Sequence, residues 1–594
     1  MRRIATLVGV FLLVFPFLAF GQVKVRTRTG GYPKWDIPPG ARRAKGFKAP
    51  VKAGPFTLGF HTQIEVDFES NNQFDFDDSI ADGQVNNGVA AANAAVGLGV
   101  PPATQRGESF QTEFRFGMDA VSGPITTHVI MEQTDGPIRD RNSENFSFNV
   151  ERAWGDVDIG IANIRYGIEL FSLEPTLMLY GDDDPMLRVY KNYGSWAWNV
   201  IYMKRRDADE ERRGNIGGAT TGSGLLPGDV NTSSNREGTS NDVDVVMVSF
   251  EFPFANPFGP GVFSFQPIYV LDHDKRFQTP GVRVGGQDFD GTIVVHYFGA
   301  NVITNFGPIK AVISGFFATG EDDTGFNSVN SATGLPQNDV DVSAWQAFAE
   351  FAYPVPNTAL TISVGAYLAS GDDDPFDDDA NAWLGVSHNS EIFNGRDIFV
   401  DKTEDGSELT IRLQSKAGVV RAGEAVRLSQ DDEAIVQGLS SFNNVGTVAS
   451  ASALHPTRSA GAVAPTPGSA ASALDPYSVN NRSHPGIAIA NVALKYKLLP
   501  NLTATADYQH IRFMETEGFS PLTSKRKTVG ILTRGGDIDG EFGNQVGLKF
   551  AWKVGKFMTF EPGFVALIPG DGIEDLTGED DTAFSFRLGM RWNF

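Results

Sequence analysis

The chain has 594 residues, enough for several soluble domains, although an all-β barrel of this length also forms a single unit. It contains 65 Gly, 45 Phe and no Cys, which excludes a disulfide framework and any Cys-ligated zinc or iron–sulfur site. A formal net charge of −23 argues against nucleic acid as a partner, because binding to the phosphate backbone requires clustered Lys and Arg.

Residues 1–21 have the pattern of a secretory signal peptide. Arg2 and Arg3 form a positive start, residues 4–20 are largely apolar, and Ala19-Phe20-Gly21 places small residues at a cleavage site before Gln22. The alternative is a single anchoring helix, but the stretch is short and no stop-transfer pattern follows it. Beyond it, no stretch approaches the ~20 apolar residues of a spanning helix. We therefore expect export, with no helix holding the mature protein in a membrane.

Residues 22–53 form a basic segment with nine Lys or Arg and one acid, Asp36. Its Gly and Pro content disfavours regular structure. We expect it on the periplasmic side, either as a solvated tail or as a basic segment that enters an acidic lumen or contacts an anionic partner.

Residues 54–594 alternate apolar and polar side chains in segments of about ten residues, which is typical of membrane-spanning β-strands. The alternation begins at residues 56–68 and recurs at 110–119 and 164–170. It is clearest in the last segment, where one face carries Phe584, Phe586, Leu588, Met590, Trp592 and Phe594. A soluble β-sandwich alternates too, so the pattern alone does not prove a membrane protein.

The connections favour a barrel over a sandwich, because short turns alternate with long polar loops. Up strands are predicted near residues 55, 125, 163, 196, 262, 309, 359, 502 and 558, each followed by a down strand. Long loops are predicted at roughly 69–108, 205–240, 320–340 and 372–484. The predicted fold is an all-β, antiparallel, up-and-down transmembrane barrel of about 18 strands, with short periplasmic turns and long extracellular loops.

The 372–484 region is too long for a plain connection. Residues 449–473 are rich in Ala, Ser, Gly, Pro and Thr, and residues 409–428 alternate weakly, which leaves open a hairpin above the barrel or folded into its mouth.

Three short motifs carry a family resemblance. The terminal aromatic Phe594, preceded by alternating apolar residues, resembles the assembly signal of bacterial outer-membrane barrels. VERAWGDV at 150–157 and FVALIPGDGIED at 564–575 resemble the porin and alginate-export families of large barrels. The resemblance implies about 18 strands, an open lumen, the outer membrane as location, and the barrel-assembly machinery and outer-membrane lipid as partners.

Charged residues at inward positions are the candidates for a selective pore lining, because barrels of roughly 16 to 18 strands leave an aqueous channel. The candidates are Arg115, Glu113, Arg165, Glu169, Arg188, Lys549, Arg587 and Arg591. Charges of both signs can select solutes by charge. The alternative is that opposite charges pair and stiffen the wall.

Acidic runs recur where up strands should emerge, and their carboxylates could bind Ca²⁺. The candidate ligands are Asp182, Asp183, Asp184, Asp372, Asp373 and Asp374. None of these runs has the spacing of an EF-hand, so a solvated loop is the alternative. A bound ion would bridge the barrel to anionic lipopolysaccharide, and no other cofactor is expected.

The sequence gives no sign of an enzyme. Its eight His are scattered without paired-ligand spacing, and there is no GxSxG-like nucleophile turn, although convergence of side chains from different strands leaves a hydrolase open. The first hypothesis is an outer-membrane porin for passive diffusion of small hydrophilic, possibly charged solutes. The alternative is a secretion conduit, either for an anionic exopolysaccharide or as a sheath around an electron-transfer partner. Whether the protein is a monomer or a trimer stays open.

Overall fold

A computed structural model describes most of the strand-forming part of the chain. The described residues are 51–72, 107–135, 149–173, 179–193, 196–206, 243–258, 262–274, 283–284, 287–288, 292–323, 340–373, 379–383, 385–386, 486–516, 539–555, 557–572, 574 and 582–593. The predicted signal peptide and most of the basic segment lie outside them. So do most of each predicted long loop, including residues 409–428 and 449–473, and the terminal Phe594.

Eighteen long strands form the wall of the molecule. They are β1 (Phe56–Asn72), β2 (Gly107–Ser122), β3 (Ile125–Asp135), β4 (Asn149–Asp158), β5 (Asn163–Ser172), β6 (Gly181–Asn192), β7 (Ala197–Arg206), β8 (Val243–Ala255), β9 (Val262–Asp274), β10 (Ile293–Phe306), β11 (Ile309–Asp322), β12 (Val340–Pro354), β13 (Leu360–Ala369), β14 (Ile487–Leu499), β15 (Leu502–Phe513), β16 (Glu541–Val554), β17 (Met558–Pro569) and β18 (Ala583–Asn593).

Each strand pairs antiparallel with the next along the chain, and the last strand pairs with the first. Strand β18 runs against β1 from Asn593 opposite Gln63 to Phe584 opposite Asn72. The sheet therefore closes into an up-and-down barrel in which each wall strand has a partner strand on both sides.

The alternating side chains point to opposite sides of this wall, as the pleat of a β-strand requires. In β12, Val342, Ala344 and Gln346 are buried on the inside, whereas Trp345 faces outward and is exposed. The same outward face carries exposed Phe317 on β11, with similar apolar side chains on the other strands. A closed barrel with a continuous apolar exterior is a transmembrane barrel.

Short turns of two to six residues join the strands at one end, here called the turn end. Gly123-Pro124 joins β2 to β3, and Gly307-Pro308 joins β10 to β11. Gly123 and Gly307 have φ angles of 57° and 61°, which a residue with a Cβ rarely adopts in the first position of such a hairpin turn. The opposite end, where the long connections lie, is called the loop end.

A short additional strand, Val51–Ala53, lies beside the start of β1. Strand β18 pairs with β1 only from Gln63 onward, which leaves the first residues of β1 without a barrel partner on that side. Val51–Ala53 turns back through Gly54-Pro55 and pairs with Phe56–Leu58 on that edge. The basic segment therefore joins the barrel at the turn end, next to the seam between the first and last strands.

The loop end of the lumen holds an apolar core, contrary to the expectation of an open, polar lining. Two groups of residues lie against the inside of the wall at this end: Leu173 and Leu179–Tyr180 between β5 and β6, and residues 370–373, 379–383 and 385–386 after β13. Within the second group, the short strand Asp379–Ala380 pairs parallel with Asp341–Val342 of β12. The two groups are called the inner segments. Trp383 packs edge-on against Tyr297 of β10, with ring centroids 5.6 Å apart, and the Val386 amide donates to the Leu179 carbonyl oxygen at 2.7 Å.

Wall residues complete this core on the inside of the barrel. Ile201 and Met203 of β7, Val295 of β10 and Ile487 of β14 are all fully buried in it. Apolar side chains at inward positions near the loop end therefore pack against the inner segments, which removes them from water.

The predicted strands agree with the structure. All nine up strands begin within one residue of the predicted positions. One prediction is wrong: the run Asp182 to Asp184 lies in β6, which starts at Gly181, rather than in a loop. Among the described residues, no helix is long and apolar enough to cross a membrane.

Candidate functional site

Polar side chains from seven consecutive strands, β2 to β8, meet on the inside of the barrel. They are Asp119, His128, Trp154, Asp156, Arg165, Glu169, Arg188, Tyr190, Asn199 and Ser249, and they are called the lumenal network. Side chains alternate between the two faces of a strand. The adjacent residues Tyr166 and Leu187 are exposed on the lipid side, which places the members of the network on the inner side.

Arg165 of β5 lies at the centre of the network. Its Nε donates to Asp156 Oδ2 at 2.9 Å, its Nη2 donates to the Tyr190 hydroxyl at 3.0 Å, and its Nη1 donates to Glu169. The guanidinium carbon also lies 3.9 Å from the centre of the Trp154 ring, in cation–π geometry. Every nitrogen of the guanidinium therefore has a partner within the wall.

Arg188 of β6 shares Glu169 with Arg165. Its Nη1 donates to Glu169 Oε1 at 3.1 Å, and its Nε donates to Asn199 Oδ1 at 3.0 Å. Its guanidinium carbon lies over the Phe171 and Tyr190 rings, at 4.9 and 4.4 Å from their centres. The side chain is 1% exposed, so its charge is held in the wall rather than extended into the lumen.

The two ends of the network are less charged than its centre. At one end, His128 Nδ1 lies 2.6 Å from Asp119 Oδ1, and the imidazole stacks on Trp154. At the other end, Asn199 Nδ2 donates to the Ser249 hydroxyl at 3.3 Å. The network therefore passes from a His–Asp pair through two arginines to uncharged groups.

Uncharged polar side chains continue around the inside of the barrel from β8 to β16. This uncharged belt consists of Ser249, Gln266, Asn301, Ser314, Gln346, Asn491, Gln509 and Gln545, all of them buried. Gln266 is directly opposite Asn301, and Gln509 is directly opposite both Asn491 and Gln545. On β13 the Tyr367 hydroxyl joins the belt by donating to Gln346 Oε1 at 2.9 Å.

The structure brings together three of the eight predicted lining residues, Arg165, Glu169 and Arg188. Arg115 on β2, Lys549 on β16 and Arg591 on β18 also occupy inward positions, outside the lumenal network. The side chains of Glu113 and Arg587 lie outside the described residues. In β18, Phe586 is exposed on the outer face, and Leu588, Met590 and Trp592 share its orientation along the strand. The side chain of Phe584 is not among those described.

The sequence interpretation missed Asp156, Tyr190 and Asn199 as members of the site. Each occupies an inward position that the alternation identifies, and Trp154 and Asp156 lie within the VERAWGDV motif. Alternation predicts which side of the wall a residue faces, but it does not predict which residues of the adjacent strands it contacts. Those contacts depend on the register between strands, which is set by pairing between segments distant in sequence. Knowing that Asp156 is opposite Arg165 would have revealed the cluster.

The proposed calcium ligands lie mostly outside what the structure describes. Asp372 is buried among the inner segments and Asp373 is exposed, whereas Asp374 and the side chains of Asp182, Asp183 and Asp184 are not described. Among the described residues, no three His, Asp or Glu side chains come close enough together to hold a metal ion. Calcium binding at these runs stays a prediction.

Comparison with known proteins finds similarity in structure and none in sequence families. No protein-family model matches the chain, and no curated protein matches it. Similar solved structures include Pseudomonas aeruginosa OccK5 (OpdH), with a TM-score of 0.40 and 9% identity, and OccK8 (OprE), with a TM-score of 0.41 and 11% identity. A BenF-like porin from Pseudomonas fluorescens Pf-5 gives a TM-score of 0.41 and 9% identity.

Each comparison covers 90% of this chain and 98% of the solved structure. TM-scores of 0.40 and 0.41 are too low to establish the fold, and the barrel is established by the strand pairing of the chain itself. None of the three is an alginate exporter, so that part of the resemblance stays a prediction.

Proposed function

We propose that this protein is an outer-membrane channel of the porin type, which lets small hydrophilic solutes diffuse across the bilayer. The observation that carries this proposal is the closed barrel of 18 strands with an apolar exterior and polar groups on its inner wall. A barrel of that size encloses more space than its wall side chains can fill, which leaves room for a solute path.

The outer membrane is the proposed location. Proteins of that membrane typically satisfy their backbone hydrogen bonds in lipid by forming closed β-barrels with short turns at one end. On this proposal the turn end, with the basic segment, faces the periplasm, and the loop end faces outward. The inner segments then narrow the lumen on its extracellular side.

An export conduit for a polyanion fits the described lining less well. Such a path requires cationic side chains that remain available to the polymer along its length. Here Arg165 and Arg188 are bound to Asp156 and Glu169 in the wall. The lumenal network therefore favours diffusion of small solutes over transport of an acidic polymer.

Single-channel recording in planar bilayers tests this proposal. The purified barrel is expected to give discrete, steady conductance steps that rise with KCl concentration, whereas the same preparation after heat denaturation gives none. A second variant lacks residues 22–50 but keeps Val51–Ala53, which pairs with β1. Conductance in that variant alone would indicate that the basic segment blocks the lumen, and silence in both forms would refute the channel.

A further inference from the structure

We propose that the inner wall of the barrel near the turn end binds phosphate-bearing solutes, through four lysines on either side of a strand that carries threonines. The four are Lys495 and Lys497 of β14 and Lys549 and Lys553 of β16, and they are called the lysine cluster. This inference rests on the proposed channel function and deepens it by naming a site in the lumen and the chemical class of its ligand.

The lysine cluster lies on the lumenal face of the wall. Tyr496, Leu548 and Trp552 are neighbours of its members along the strands, and all three are exposed on the outer face. Successive side chains of a strand point to opposite faces, so the four lysines occupy inward positions. The two nearest the turn end, Lys497 and Lys553, are exposed, and the other two are half-buried. Solutes in the lumen can therefore reach the cluster, whereas lipid headgroups cannot.

The strand between β14 and β16 places small hydroxyl side chains among the lysines. Thr505 of β15 is directly opposite both Lys495 and Lys549. Thr503, two residues earlier on β15, is directly opposite Lys497. Adjacent strands lie about 4.8 Å apart, so the backbones of Lys495 and Lys549 are about 10 Å from each other across Thr505. Each lysine has a flexible stem of four carbons, so ammonium groups from both strands can converge on one anion above the threonines.

Positive charge exceeds negative charge on this part of the wall. Near the turn end, the inner face of β14 to β17 carries the four lysines and two carboxylates, Asp507 and Glu561. Asp507 is 9% exposed, and its Oδ2 lies 3.5 Å from Gln509 Nε2. Four ammonium groups and two carboxylates leave an excess of two positive charges, and such a concentration of charge on a concave surface attracts anions.

Phosphate matches the donors of this site better than a carboxylate does. A lysine ammonium has three N–H donors, and a threonine hydroxyl has one. A phosphate group carries close to two negative charges and three strongly accepting oxygens, whereas a carboxylate carries one charge and two oxygens. A phosphate can therefore accept hydrogen bonds from both lysine-bearing strands and from a threonine at the same time.

Block of the single-channel KCl current tests the ligand class. Inorganic phosphate and succinate are compared at about pH 8, where both carry close to two negative charges. Phosphate is expected to reduce the current at a several-fold lower concentration than succinate. Equal block by the two anions, or block by neither, would overturn the inference while leaving the channel intact. Absence of current in every solution would refute the channel instead.

The double substitution Lys497→Gln with Lys553→Gln tests the residues of the site. Both side chains are exposed, so the barrel should still fold, and the phosphate concentration that halves the current should rise several-fold. The matched control is Lys204→Gln, which removes an exposed lysine at an outward position of β7 and should leave that concentration unchanged. Unaltered block by phosphate in the double variant would overturn the inference.

Arginine at the same two positions separates charge from a change in wall structure. Lys497→Arg with Lys553→Arg keeps both positive charges, so it should retain most of the block by phosphate. If the arginine variant loses the block to the same degree as the glutamine variant, positive charge is not the cause and the inference fails.

Discussion

Gly167 is the residue that gives the lumenal network its space. It occupies an inward position on β5 between Arg165 and Glu169, which stand four residues apart, or about 13 Å along a strand. Arg165 nevertheless contacts Glu169, so the two side chains lean toward each other across the glycine. Gly167 also has a φ of 134°, and a Cβ there would lie 2.0 Å from the Ala153 carbonyl oxygen.

Substitution Gly167→Ala is expected to destabilise the barrel by about 1–3 kcal/mol, because the added methyl group overlaps the backbone of β4. The measurement is the temperature at which the folded, fast-migrating band disappears in gel electrophoresis. Gly155→Ala is the control in the same hairpin, since a Cβ there meets only Thr127 Cγ2 at 4.0 Å. An equal effect of both substitutions would contradict this explanation.

Among the larger elements, the inner segments pack with wall residues into the apolar core at the loop end. Their contacts with the wall are specific: Asn301 Nδ2 donates to the Leu173 carbonyl oxygen at 2.8 Å, and the Trp383 ring packs edge-on against Tyr297, with ring centroids 5.6 Å apart. Trp383 is fully buried in the apolar core. The segments are thus held by packing and hydrogen bonds that the wall strands do not need for their own pairing.

Substitution Trp383→Ala should loosen the inner segments without opening the barrel. Loss of a large buried aromatic side chain typically lowers the free energy of unfolding by about 3–5 kcal/mol. Here we expect the loss to weaken the packing of the inner segments against the wall. We expect a larger single-channel conductance, with the barrel still folded by gel mobility. Trp345→Ala, on the outer face of β12, is the matched control and should leave conductance unchanged. A conductance unaltered by Trp383→Ala would show that the inner segments do not limit the path.

At the scale of the whole molecule, one rule places lipid and lumen on opposite sides of every wall strand. Adjacent residues of β14 illustrate it: Val492 is exposed on the outer face, and Ala493 lies on the inner face opposite Asp507. The two residues are adjacent in sequence, but Val492 faces lipid and Ala493 faces the lumen.

An arginine at each of these positions tests the rule. Val492→Arg should destabilise the inserted barrel by about 2–4 kcal/mol, the cost of a charged side chain near the middle of the bilayer. Ala493→Arg should be tolerated, because it faces the lumen near a carboxylate. The yield of heat-modifiable barrel in the outer-membrane fraction measures both. Equal yields would contradict the transmembrane orientation of β14.

The sequence by itself determined the strands, the turns and the face of each inward or outward residue. The starts of the nine up strands were predictable within one residue because alternation has a period of two and the Gly-Pro turns are local signals. The same alternation placed Arg165, Glu169 and Arg188 on the inner wall. These properties depend on neighbours in the chain, so they can be derived from the chain alone.

Only the tertiary structure decided which inward residues meet and how the lumen is filled. The contacts of Arg165 with Asp156 and Tyr190 depend on the register between strands, which is set by pairing over the whole sheet. The inward Tyr297 gave no sequence sign of its role, because its partner Trp383 lies in another part of the chain. Alternation encodes the direction of a side chain, whereas its contacts depend on closure of the barrel.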